Sequence, residues 1–119
     1  MIQPDEWEIL VHNELSEKGL VSWITPLDPS NDTFEAMEGV RPDVLRTDPA
    51  FKDWHRSYCK VSAAMTRSLG KDMMTVIRQP EYVALYSYCP ALQRYRAIRS
   101  ILDPGFTIVS SFLGGLSTF

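Results

Sequence analysis

Apolar residues recur along this chain in two rhythms, and the rhythms divide it into elements. Trp7, Leu10, Val11 and Leu15 follow helical spacing, so the chain opens with a helix that carries one apolar stripe. Pro4 suits its first turn, Asp5 and Glu6 complement the positive end of its dipole, and Lys18-Gly19 supplies its stop. A longer helix is predicted over 49–69. Asp48 is its N-cap, Pro49 follows the cap, and Gly70 ends it. Phe51, Trp54, Tyr58, Val61, Met65 and Leu69 recur there at steps of three or four, while Lys52, Asp53, Arg56, Lys60 and Arg67 lie off that stripe. A third helix opens at Cys89-Pro90. It turns Ala91, Leu92, Tyr95, Ile98 and Leu102 inward and sets Gln93, Arg94, Arg96 and Arg99 on its polar side.

The remaining apolar runs read as strands. Residues 20–25 are β-branched, aromatic and closed by Pro26. Residues 72–78 and 82–88 flank the break Gln79-Pro80-Glu81, a spacing that favours an antiparallel hairpin. After the turn Asp103-Pro104-Gly105, residues 106–113 alternate in polarity and read as a last strand. Between them, 26–50 is loop-rich and proline-punctuated. It includes a short helix through Phe34, Ala36 and Met37, capped by Ser30 or Asp32 and ended by Gly39.

The resulting order is a helix followed by β-α-β-β-α-β. This is an α+β fold in which a ferredoxin-like unit forms a four-stranded antiparallel sheet with helices on one face. The alternative is an open, mainly parallel α/β sheet of the same element order, for which 79–81 is a short crossover. In either case 1–119 forms a single domain, whether or not the native chain continues past Phe119. One sheet face stays open for the first helix, a second subunit or a ligand.

Composition agrees with a globular chain: 119 residues, 45% apolar and 23% charged. The net charge of −3 excludes a polycationic nucleic-acid binder. That number conceals a split. Residues 1–40 carry nine acids against Lys18 alone, a net of −8, whereas 41–119 carry eleven bases against six acids, a net of +5. Either the acidic third folds against the basic remainder, or the poles meet between subunits or with a partner, or the basic part faces nucleic acid. No run approaches the roughly 18 apolar residues of a membrane span, and the acidic N-terminus does not read as a secretory signal. Cys59 and Cys89 lack any C-x-x-C spacing and read as thiols of a reducing, cytoplasmic compartment.

Candidate chemistry is sparse. Tyr82, Tyr86 and Tyr88 share one face of the 82–88 strand. With Arg94, Arg96 and Arg99 they form the candidate binding surface, either as an interface or as a platform that stacks bases. No catalytic constellation stands out; the weak candidates are His55 and Cys89, a cysteine at a helix start where the dipole lowers its pKa. His12, His55, Cys59 and Cys89 match no metal-site spacing, and no cofactor motif is present.

Three functions follow as expectations. The first is a non-enzymatic interaction or assembly module, homodimeric and bound to another protein, of the kind found as accessory components of phage or other multiprotein assemblies. The second is an RNA- or single-strand-binding domain that uses the tyrosine face. The third is a small α+β-barrel enzyme on an aromatic or apolar compound, lined by Trp23, Trp54, Met73, Met74 and the tyrosines, with His55 as acid–base group.

Overall fold

The computed structural model of the chain describes residues 2–31, 35–87 and 89–106. Among these, five α-helices form: α1 (Pro4–Glu17), α2 (Pro49–Arg67), α3 (Gly70–Ile77), α4 (Pro80–Tyr86) and α5 (Ala91–Leu102). A single 3-10 turn, Val21–Ile24, follows α1. The described residues contain no sheet, and their β pairing is one isolated bridge between Pro26 and Ala36. Both the ferredoxin-like α+β fold and the parallel α/β alternative are therefore corrected to an all-helical fold.

The three helices with the strongest periodicity form where the spacing puts them. In α1, Trp7, Val11 and Leu15 are fully buried, while Leu10 stays exposed. Gly19 ends α1 in the left-handed region at φ +69°. Its amide donates to the Ser16 carbonyl and the Leu20 amide to the Leu15 carbonyl at 2.8 Å, a Schellman closure. In α2, the Asp48 side chain accepts from the Ala50 amide at 2.8 Å, and Pro49 occupies the first turn, where no amide donor is needed.

The three strand readings within the described residues fail for one physical reason. A strand must pair its backbone with a neighbour, whereas a helical turn satisfies its own donors and acceptors. Segment 20–25 buries the consecutive residues Trp23 and Ile24, which a half-buried strand cannot do. Segment 72–78 buries Met73 and Ile77, four apart on one side of α3. Segment 82–88 turns Tyr82, Leu85 and Tyr86 toward the core and leaves Ala84 exposed, so its spacing is three and four rather than two. Pro80 starts α4 rather than breaking a hairpin. The last strand, 106–113, lies outside the described residues beyond Phe106. Of the short helix expected through Phe34, Ala36 and Met37, the part from 35 on is not helical, since Ala36 pairs with Pro26 and Met37 and Glu38 bend, while Asp32 and Phe34 lie outside the described residues.

The core is one cluster. Trp7, Val11 and Leu15 of α1 meet Val61, Ala64 and Met65 of α2 and Tyr95, Ile98 and Leu102 of α5. Met73 and Ile77 of α3 extend it, and the Tyr86 hydroxyl of α4 donates to the Ile77 carbonyl at the end of α3. Trp7 carries the central bond: its indole N–H donates to the Met65 carbonyl at 2.9 Å, and its ring stacks on Tyr95 at 5.1 Å. No helix among the described residues is long and apolar enough to cross a membrane.

Candidate functional site

The first half of α2 lies outside the tightest core and builds a groove. Its side chains Phe51, Trp54, His55 and Tyr58 face the 35–41 and 46 region of the long connection and the start of α5, enclosing a cavity of about 1090 Å³. Trp54 stacks toward Trp23 at 6.5 Å and 23°, and lies 5.1 Å from Tyr58. Phe51 stacks on His55 at 5.9 Å and 14°, and the Arg41 guanidinium covers Phe51 at 5.2 Å.

Two backbone carbonyls hold this aromatic wall. Trp54 Nε1 donates to the Gly39 carbonyl at 2.8 Å, and the Tyr58 hydroxyl donates to the Cys89 carbonyl. Gly39 sits at φ +85°, and a Cβ there would stand 2.5 Å from the Trp23 ring. The glycine thus lets the connection lie directly on Trp23, which fixes one side of the groove. Leu27, Val40 and Leu45 are large exposed apolar residues of the same connection, and Leu27 and Val40 line the groove itself.

A second furrow of about 850 Å³ adjoins the first through Arg46, Phe51 and His55. Its walls are cationic: Lys18, Arg46, Lys52, Arg56, Lys60 and Arg67, with Cys59 and Ala63 between them. Glu14 takes up part of this charge, pairing with Lys18 at 3.1 Å and with Arg67, and Asp53 lies 3.7 Å from Arg56. Lys52, Arg56 and Lys60 follow each other four apart, so they form one row along the outer face of α2.

The sequence-predicted binding surface is dispersed. Tyr82 and Tyr86 lie on α4, not on a strand. Tyr82 packs near Phe106 at 6.4 Å, and Tyr86 bonds the end of α3. Tyr88 lies outside the described residues. Arg94 is drawn inward, its guanidinium 5.5 Å over Tyr58 and 5.6 Å over Tyr86, with its Nε buried and without a hydrogen-bond acceptor among the described residues. Arg96 is partly buried on α5. Arg99 leaves this group entirely: its Nε donates to Glu8 at 2.7 Å and its Nη2 lies 3.7 Å from Asp5. The strand face assigned to Tyr82 and Tyr86 is therefore corrected, because α4 forms there instead.

His55 and Cys89 both line the aromatic groove, but the Cys89 thiol donates toward the Leu85 carbonyl at 3.7 Å. His55 is exposed and lies 3.8 Å from Cys59 Sγ, one turn along the same helix. No group of three or more metal-ligating side chains occurs among the described residues. Trp23 and Trp54 both line the groove, whereas Met73 lies in the core with Met74 packed against it, and the sheet of the expected barrel does not form among the described residues. The cationic row on α2 was visible in the sequence as its off-stripe residues. Its junction with the aromatic groove was not, because Trp23 and Gly39 reach that groove from a segment with no periodicity.

No family model, no curated protein and no solved structure matches this chain.

Proposed function

We propose that the chain is a non-enzymatic protein–protein interaction module that captures a protein segment carrying a large apolar anchor beside acidic residues. The observation that carries this reading is the junction of the two surfaces: an aromatic groove opening at Arg46, Phe51 and His55 into a cation-walled furrow. Aromatic and arginine side chains are the types that anchor protein interfaces, since they contribute contact area and directed polar contacts together. The cationic row attracts an acidic segment and orients it, and the groove receives its apolar side chain. The same reading makes the chain an assembly component of a larger complex in a reducing compartment, where Cys59 and Cys89 persist as free thiols.

The test uses a synthetic amphipathic peptide rich in Glu and Leu, followed by the emission of Trp23 and Trp54, which both line the groove. The peptide is expected to shift that emission saturably. The double variant Arg46→Glu, Lys52→Glu weakens the binding by about tenfold or more. A peptide with Lys in place of Glu that binds equally well, or an acidic peptide that produces no change at low salt, overturns the reading.

A further inference from the structure

A segment of the required chemistry exists on this chain. The helical spacing of α1 places Glu6, Ile9, Leu10, Asn13 and Glu17 together on the side opposite Trp7, Val11 and Leu15. All five are exposed, and Ile9 and Leu10 are large apolar side chains left uncovered at 61% and 47%. Glu6 and Glu17 form no ion pair among the described residues, unlike Glu8 and Glu14, which face α5 and α2. The outer side of α1 is thus an apolar ridge flanked by unneutralised carboxylates. The α2 furrow carries the complementary charge: the small residues Cys59 and Ala63 lie among cations, of which Lys52 and Lys60 form no ion pair among the described residues.

We propose that the outer face of α1 docks into the α2 furrow of a second copy of this chain. This rests on the reading of the furrow as a protein-docking surface and names its occupant. Within one copy the contact is impossible, because α1 uses its opposite side to pack on α2 and the two helices are held by Arg67 and Glu14. The furrow reaches Lys18, just past the end of α1. Two copies related by a twofold axis then make the same contact twice, each giving α1 and receiving α1, which closes the assembly at a dimer. Apolar burial of Ile9 and Leu10 and pairing of Glu6 and Glu17 with the cationic walls act together.

The test is sedimentation velocity on the full chain, with a charge swap. At about 50 mM salt a species of twice the chain mass is expected, reverting to monomer near 500 mM as screening removes the pairing. Glu6→Lys with Glu17→Lys, and separately Lys52→Glu with Arg56→Glu, each give monomers. Mixing the two variants restores a dimer, because each then carries the partner charge of the other. All four positions are exposed, and unchanged circular dichroism melts confirm that the fold is intact. A monomer under every condition overturns the proposal. So does a dimer that neither reversal disturbs. If the chain stays monomeric but still binds the Glu/Leu peptide, the furrow is a protein site with a different occupant. If it stays monomeric, ignores the peptide and binds a single-stranded oligonucleotide, both the proposal and the functional reading fail and nucleic acid takes the furrow.

Discussion

Arg99 Nε donates to Glu8 Oε1 at 2.7 Å, joining α5 to α1 across 91 residues of sequence. The same carboxylate oxygen accepts from the Tyr95 hydroxyl at 3.1 Å, and His12 Nε2 lies 3.2 Å from that hydroxyl. One carboxylate thereby collects a cation and a phenol from α5. Together with the pair between Arg67 and Glu14, it turns the charge split of the sequence into contacts between helices.

These contacts are partly solvated, so each one contributes modestly. Glu8→Gln is expected to cost about 0.5–1 kcal/mol, because Arg99 is 44% and Glu8 29% exposed. A double-mutant cycle with Arg99→Ala, read by urea denaturation, measures the coupling. The coupling shrinks as salt is raised, and a salt-independent value contradicts the ionic origin of the contact.

Trp7 is the residue whose loss matters most. Its side chain is fully buried in the centre of the cluster. Trp7→Ala removes that volume and is expected to cost about 3–5 kcal/mol, enough to unfold much of the population. Trp7→Phe keeps an aromatic ring but strands the Met65 carbonyl, at about 1–3 kcal/mol. A Trp7→Phe variant as stable as the parent chain would show that the indole hydrogen bond contributes nothing.

Gly39 and Gly19 both occupy the left-handed region, but their surroundings differ. A Cβ at Gly19 meets nothing within 4 Å, whereas at Gly39 it meets Trp23 at 2.5 Å. Gly19→Ala is therefore expected to cost about 1 kcal/mol from backbone strain alone. Gly39→Ala costs more, displaces Trp23 and changes the emission of Trp23 and Trp54. Thermal melts with emission spectra separate the two cases; unchanged emission in Gly39→Ala contradicts the contact.

Tyr95 links folding to alkaline pH. Burial raises its pKa above the usual 10.0, with the Glu8 charge and hydrogen bond adding to the effect and Arg99 opposing it. Above pH 10 the unfolded chain releases this proton while the folded chain keeps it. The stabilisation is therefore complete below pH 10 and is lost as pH rises toward the folded value. Tyr95→Phe should lower stability at neutral pH and flatten its decline above pH 10. Melting temperatures from pH 8 to 11.5 test this, and parallel curves for the two proteins would refute it.

The helices legible in the sequence were those with local punctuation. Asp48-Pro49 caps α2, Lys18-Gly19 closes α1, and the stripe from Ala91 to Leu102 defines α5, whose predicted inward residues are all buried. Leu10 shares the apolar spacing of α1 yet stays exposed, because the core accepts only the row Trp7, Val11, Leu15. The segments at 72–78 and 82–88 were ambiguous by nature: runs of seven residues rich in Met, Val, Ile and Tyr fit a strand or two helical turns equally well. The surroundings of the candidate surface residues are not local. Arginines on one polar helix side look alike in sequence, yet Arg94 lies over two tyrosines and Arg99 is bound by Glu8.

What the sequence determined by itself is what depends on near neighbours along the chain: three long helices, their caps, the acidic first third and the cationic row on α2. The tertiary structure alone decided whether the short apolar runs found partner strands, which carboxylates neutralised which arginines, and that Trp23 and Gly39 would meet Trp54 across a groove. Caps and stripes act over one or two helical turns, so a local pattern suffices to specify them. Pairing, neutralisation and groove formation depend on distances between residues far apart in sequence, and those distances exist only once the helices have packed.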